Sequence, residues 1–269
     1  MKIFLSKAEL TKCIKHEKDL GFVPTMGAIH AGHLTLIKKS IEQCNKTIVS
    51  IFVNSPQFNK KSDFKKYPRT LTNDIRKLKT MKVNFLYLPR QKEIYPKGVN
   101  KKIQVNSFHK KLCGKFRPNH FKAVVDVVDR FIKIINPKKI YLGKKDMQQL
   151  ILLNDFIKKN HFGIKIIECK TIRLKTGLAY SSRNFLLTIK EKIIASKIYK
   201  IILSNKKYII KNKLSISYIK KRIFNLGAKK IDYIMLLDIN KIIKPYKKNN
   251  NFKIFIAYYL GDTRLIDNI

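Results

Sequence analysis

The chain has 269 residues, 45% of them hydrophobic, which suits one large domain or a domain with a smaller partner; no apolar run approaches the ~20 residues of a bilayer-spanning helix, so a soluble protein is expected. Its 59 Lys and Arg against 17 Asp and Glu give a formal net charge of +42. Lysine is dispersed over helices, loops and strand ends, and is inflated together with isoleucine and asparagine as an AT-rich coding sequence would produce, so the clustered basic face of a nucleic-acid-binding protein is not expected.

The N-terminal MKIFLSKAELTKC carries a short apolar patch, Ile3 to Leu5, with no long h-region or cleavage site behind it. Cysteines at 13, 44, 113 and 169 form no C-x-x-C pair, which suggests neither a disulfide framework nor a zinc site and fits a reducing cytoplasm. Strand-like runs follow at Leu20 to Pro24, Thr47 to Val53, Asn84 to Leu88, Lys139 to Leu142 and Ile164 to Cys169. Between them lie helical patterns. In Gly32 to Cys44 the stripe is His33, Ile37, Ile41 and Cys44; in Phe121 to Ile135 it is Val124, Val125, Val128, Ile132 and Ile135, which turns Asp126 and Asp129 toward solvent. This alternation predicts an α/β fold with a Rossmann-like parallel sheet and flanking helices.

After Asn184 the composition shifts to Lys-rich helices, Ile189 to Lys211 and Ser215 to Leu226, then strands Lys230 to Leu237 and Phe252 to Leu260 joined by a hairpin-like KPYKKNNNF. These predict a smaller α+β C-terminal domain. The expected division is 1–171 for a catalytic domain and 172–269 for the smaller one.

Four short stretches carry chemistry. In VPTMGAIHAGHL a strand ends at Val23-Pro24, a glycine-bearing turn follows, and a helix opens near Gly32. Helix N-terminal amides attract phosphate; Gly27 and Gly32 would let a nucleotide approach the backbone, and His30 and His33 project toward one spot. No P-loop and no G-x-G-x-x-G is present. GKKDMQQL, after the strand KIYL, offers Lys145 to a phosphate, Asp146 to a ribose or a metal-bound water, and Gln149 to a hydroxyl or carboxylate; Asp146 would equally serve as a helix N-cap. GLAYSSRNFL offers Ser181, Ser182 and Arg183 to phosphate oxygens, or else makes a polar interdomain turn. FVNSPQF presents Asn54 and Gln57 between aromatics, suited to a small polar substrate or to capping a strand end.

Taken in order, PTMGAIHAGH, FVNSPQF, DFKKYPRT, LCGKFRPNHF, NPKKIYLGKKDMQQL and TIRLKTGLAYSSRNFLL resemble the pantothenate synthetase (pantoate–β-alanine ligase) family of the H-x-G-H nucleotidylyltransferases. The resemblance covers about Gly21 to Leu187. It implies condensation of pantoate with β-alanine, ATP as co-substrate, a pantoyl-adenylate intermediate, Mg2+ carried by ATP with no protein metal site, and a homodimer. Matching positions give His33 as principal catalytic histidine, with His30 and Lys145. ATP contacts would come from Met26, Gly27, Ala28, Ile29, His30, Ala31, Gly32 and His33, from Gly143, Lys144, Lys145 and Asp146, and from Ile172, Tyr180, Ser181, Ser182 and Arg183. Asn54, Gln57, Gln149 and Tyr67 would meet pantoate and β-alanine, and the C-terminal domain, beginning with the SSR segment, would act as a lid.

Four departures stand out: FVNSPQF for FVNP-x-QF, GKKD for GEKD, Tyr180 for methionine, and RPNHFKAV for RPGHF-D-G-V. None removes a proposed catalytic group, so activity is expected. Another nucleotidyltransferase acting on a different acceptor is the nearest alternative; FVNSPQF and YSSRNF argue against it.

Overall fold

Strand and helix alternate through the first two thirds of the chain, and the strands assemble in parallel. The computed structural model describes residues 1–161, 163–243, 246 and 248–269. The chain divides into two units, Met1–Lys144 with Gln148–Thr171 and Lys145–Met147 with Ile172–Ile269.

In chain order the first set of elements is β1 (Lys2–Phe4), α1 (Lys7–Ile14), β2 (Leu20–Thr25), α2 (Ala31–Gln43), β3 (Lys46–Ile51), α3 (Lys61–Lys66) and α4 (Leu71–Thr80). Then come β4 (Phe85–Tyr87), α5 (Gln91–Ile94), α6 (Cys113–Phe116), α7 (His120–Ile135), β5 (Lys139–Gly143), α8 (Met147–Asn160) and β6 (Lys165–Cys169). Among the described residues the sheet order is β1-β4-β3-β2-β5-β6, all pairs parallel. The apolar patch at the N-terminus is therefore an edge strand, Lys2 to Phe4 lying beside Phe85 to Tyr87.

Successive residues of β2 face opposite sides of the sheet. Val23 joins Ile37 of α2, Leu78 of α4, Val49, Leu86 and Tyr141 in one core. Phe22 faces the other way, 5.5 Å from the ring of Phe131 on α7, which also meets Phe52 and Tyr87 edge-on at 6.1 Å. Truncating Phe131 at such a crossing costs about 3–5 kcal/mol.

Two sequence expectations fail here, one because α7 is covered on more than one side and the other because the buried face of α2 is turned from the expected stripe. All of α7 except Lys122, Arg130 and Lys133 is buried. Asp126 and Asp129 are not solvated: Asp126 accepts from Arg130 Nε at 2.7 Å and Asn100 N–H at 2.9 Å, and Asp129 pairs with Lys133 at 2.6 Å and His161 at 2.7 Å. On α2 the buried positions are Leu36, Ile37 and Ser40, while Ile41 is exposed. At the head of α7, Asn119 stands at φ +61° where the resembling family carries glycine; asparagine is the side chain that tolerates this left-handed position best.

The second unit contains α9 (Ile189–Ile210), α10 (Ile216–Asn225) and the antiparallel strands β7 (Lys230–Asp238), β8 (Phe252–Leu260) and β9 (Thr263–Asn268), ordered β7-β8-β9. Thr188 and Glu191 start α9 with a reciprocal capping box, which satisfies two N-terminal donors. Ile198, Ile202, Ile219, Ile223, Ile254 and Ile256 form the core of this unit. The sequence reading passed over β9, which turns back from β8 at Gly261-Asp262, with Gly261 at φ +52°. Of the expected KPYKKNNNF hairpin, Lys244, Pro245 and Lys247 lie outside the described residues.

Candidate active site

The path of the chain across the sheet reverses between β2 and β5: β2, β3 and β4 step one way, β5 and β6 the other. Such a switch point opens a crevice at the carboxyl ends of the strands. Here the opening has a local cause. Leu20 O accepts from Lys138 N–H, on the β5 side, and Thr25 O accepts from Phe52 N–H, on the β3 side. Backbone groups alternate sides along a strand, so residue 24 faces β5, and residue 24 is a proline without an N–H. Pairing of β2 with β5 ends at Phe22 and Ile140, while pairing with β3 continues through Thr25.

The turn after β2 leads into α2 with His30 as N-cap, at φ −131° and ψ 174°. Gly27 and Ala28 are both left-handed, φ +79° and +50°. A side chain at Gly27 would meet Ile51 Cγ2 at 3.1 Å and Asp74 Oδ2 at 3.2 Å. Glycine is thus required by the turn and by what packs behind it.

Behind the turn stands Asp74 of α4, 1% exposed. Its Oδ2 accepts from Ala28 N–H at 2.9 Å, and its Oδ1 from Ile29 N–H at 2.7 Å and the Thr70 hydroxyl at 3.0 Å. Gly27 N–H donates to Thr25 Oγ1 at 3.1 Å, and Lys77 Nζ, one turn along α4, donates to Ile29 O. The amides of Gly27, Ala28 and Ile29 thus have acceptors within the protein, which hold the turn in shape. Asp74 was missed because the backbone amides it holds lie 45 and 46 residues away along the chain.

The two histidines share the first turn of α2, their rings stacked at 4.0 Å and 23°. His30 N–H donates to His33 Nδ1 at 3.4 Å. A ring nitrogen that accepts carries no proton, so this contact leaves Nε2 as the His33 nitrogen able to donate.

Beside them, at the end of β3, Asn54 caps a 3-10 turn, Ser55–Gln57, with Pro56 in its first positions. Asn54 is 1% exposed and Gln57 8%. The Tyr95 hydroxyl donates to Asn54 Oδ1 at 2.7 Å; Asn54 Nδ2 donates to Gln57 Oε1 at 3.1 Å and Ala123 O at 3.2 Å. Gln57 Nε2 lies 3.0 Å from Met26 Sδ, joining the amide pair to the histidine turn. Gln57 O accepts from His120 Nδ1 at 2.8 Å and Arg117 Nη2 at 3.2 Å, and His120 Nε2 lies 3.1 Å from Arg117 Nη1. A carbonyl can only accept and a guanidinium can only donate, so His120 carries a proton on Nδ1 and offers Nε2 to Arg117. Burial, followed by the charge of Asp126, pushes the Tyr95 phenol well above its usual range, keeping it a donor. Tyr95, Arg117 and His120 escaped the sequence reading of the site, although RPNH was among the matched motifs. Tyr67 is buried, edge-on to Phe58 at 5.7 Å.

After β5 the chain passes Gly143 and a 3-10 turn, Lys144–Asp146, into α8. Lys144 Nζ is 3.1 Å from Glu168 Oε2 in the first unit. Gln149 is half-buried, while its neighbour Gln148 staples the preceding loop, accepting from Cys113 N–H and donating to Phe108 O and Lys111 O.

The second unit holds the remaining candidates. Lys145 Nζ lies 3.7 Å from Asp146 Oδ1, with the two side chains 17% and 45% exposed, and Lys145 O accepts from Asn268 Nδ2 at 2.7 Å. Ile172, half-buried, accepts from Tyr180 N–H at 3.0 Å. Ser181 caps a short turn, its Oγ accepting from Arg183 N–H at 3.3 Å; Ser182 is 5% exposed. This segment is braced by Arg173, bidentate to Asp267 at 2.6 and 2.8 Å and lying 4.1 Å over the Tyr199 ring. Burial works against the Arg173 charge, and the Asp267 carboxylate outweighs it, holding the guanidinium above its usual pKa.

Comparison with known proteins agrees over the full length. The family model "Pantoate-beta-alanine ligase" matches residues 2–269. Relatives described as pantothenate synthetase include that of Thermodesulfovibrio yellowstonii, 36% identical with 97% of this chain and 95% of that protein covered, and that of Azobacteroides pseudotrichonymphae, 40% identical with the same coverages. The crystal structure of pantoate-beta-alanine ligase from Francisella tularensis complexed with beta-gamma ATP and beta-alanine superposes with a TM-score of 0.86 at 37% identity, covering 100% of this chain and 97% of that one. With its parallel sheet, its small antiparallel sheet and its sequence matched from end to end, the chain belongs to the pantoate-beta-alanine ligase family, a family of ligase enzymes.

Proposed function

We propose that the chain condenses pantoate with β-alanine at the expense of ATP, releasing pantothenate, AMP and pyrophosphate through a pantoyl-adenylate intermediate. The observation that carries this reading is the coupling of the histidine turn to the amide pair through Met26 and Gln57: groups suited to phosphorus chemistry and groups suited to a small hydroxy acid end adjacent strands. In the first step a pantoate carboxylate oxygen bonds to the α-phosphorus as its bond to pyrophosphate breaks. In the second the β-alanine amine attacks the acyl carbon, loses a proton, and AMP leaves with the bonding electrons.

His33, protonated on Nε2, and His30 stabilise charge on the phosphate oxygens as it develops, with Lys145 as a further cation. Asn54, Gln57 and Gln149 hold pantoate, and Tyr67 borders the β-alanine. Met26 to His33, Gly143 to Asp146, Ile172 and Tyr180 to Arg183 carry the ATP assignments, with 1–171 as the catalytic part and 172–269 as the lid. Magnesium on the triphosphate supplies charge neutralisation. Phosphate oxygens would hold it. A homodimer in the cytoplasm completes the proposal.

The test is to incubate the purified protein with ATP, magnesium and pantoate, with and without β-alanine, and to follow AMP and pyrophosphate. AMP release that needs both pantoate and β-alanine is the expected result; its absence would sink this reading.

A further inference from the structure

We infer that Tyr95 is a positioning residue for pantoate, acting by fixing which way the amides of Asn54 and Gln57 face. The inference rests on the reading of Asn54 and Gln57 as pantoate-binding groups.

A carboxamide has a donor end and an acceptor end of nearly equal shape, so its direction is set by its neighbours. At Asn54 the Ala123 carbonyl, which can only accept, draws Nδ2 at 3.2 Å, and the Tyr95 hydroxyl holds the other end by donating to Oδ1 at 2.7 Å, which keeps Nδ2 on Gln57 Oε1 at 3.1 Å. Without that donor the buried Oδ1 has no partner to hold it in this direction. Gln57 Oε1 is thereby used as an acceptor, and the end it presents beyond the pair is the donor Nε2, on the side of Met26. A donor suits the hydroxyl and carboxylate oxygens of pantoate; a reversed Gln57 would offer them an acceptor.

The Tyr95 ring is itself held. It is 7% exposed, and the Arg130 guanidinium lies 4.5 Å over it, fastened by Asp126, Ile94 O and Gly98 O. The buried ion pair on α7 therefore steadies the phenol that orients the amides, a use for Asp126 that a solvated carboxylate would not have.

Tyr95→Phe keeps the ring beneath Arg130 and removes only the donor. In the complete assay the KM for pantoate is expected to rise about tenfold or more, as when a polar site loses the partner that orients it, while the KM for ATP stays within about twofold, the margin of an uncoupled site. In 15N spectra of the labelled protein the side-chain amide signals of both Asn54 and Gln57 shift. An unchanged pantoate KM, an equal rise in both KM values, or Asn54 signals at their wild-type positions overturns the inference. If the wild type shows no pantoate-dependent AMP release, the proposed function fails, and the 15N arm still decides whether Tyr95 orients the pair. Should the variant not fold, the wild type carries the test: both Asn54 amide protons exchange slowly with solvent if the pair is locked, and exchange at the rate of an exposed asparagine rules the lock out.

Discussion

The histidine turn after β2 and the lysine turn after β5 stand at neighbouring strand ends and are held in opposite ways. The first is tied from behind by a carboxylate with 1% exposure that takes two backbone amides and a hydroxyl. In the second, the Asp146 side chain is 45% exposed and Lys145 reaches it at 3.7 Å. The first turn is fixed through its backbone, with a left-handed alanine at 28; the second is tied through long side chains, Lys145 to Asp146 and Lys144 to Glu168. Pre-organisation is thus concentrated where backbone shape matters, and adaptable charge where reach matters.

Asp74→Ala breaks this contrast most severely. It leaves two buried amides without their acceptor, a loss of about 3 kcal/mol or more of stability, read as a fall of roughly 6–12 °C in Tm for a chain of this size. AMP formation falls with it. A Tm within about 1 °C of wild type would mean that the turn holds its own shape.

His33→Ala and Lys145→Ala sharpen the contrast. Each is expected to lower turnover by about 100-fold or more through loss of a transition-state contact, with Tm nearly unchanged. A wild-type rate in either variant refutes the role given to that residue.

The alkaline limb separates the two units more gently. Tyr87, Tyr95 and Tyr141 in the first unit and Tyr258 in the second are all held, chiefly by burial, above the ordinary phenol pKa of about 10. The folded chain keeps these protons where the unfolded chain loses them, so the stability they contribute is complete below about pH 10 and is lost as pH rises beyond it. Hydrogen exchange between pH 9 and 11 is expected to accelerate first in the sheet of the first unit. Faster opening of the second unit would reverse that order.

The sheet was legible because its central strands, such as Phe22-Val23 and Ile48-Val49, are apolar on both faces. Two edge strands were not: Lys2–Phe4 is three residues long and Thr263–Asn268 mixes polar with apolar side chains, so neither has a period to read. Asp126 and Asp129 were misplaced because a stripe on a helix says nothing of what covers its other sides. In the candidate site the motifs named the residues that face outward in sequence space, His30, His33, Asn54 and Gln57. What braces them, Asp74 against amides and Tyr95 against a carboxamide oxygen, depends on direction and distance across 41 to 46 positions of chain, which no local pattern encodes.

Pro24 has one last consequence. In a parallel sheet neighbouring strands tend to zip together to their ends, and a cleft between them must be propped open. Here one hydrogen is missing, and the zipper has no tooth at that place. Any other residue at 24 restores the tooth, and with it an incentive for β2 and β5 to close over the ground where both turns begin. The place where β2 and β5 part is a property of a ring closure on a single nitrogen.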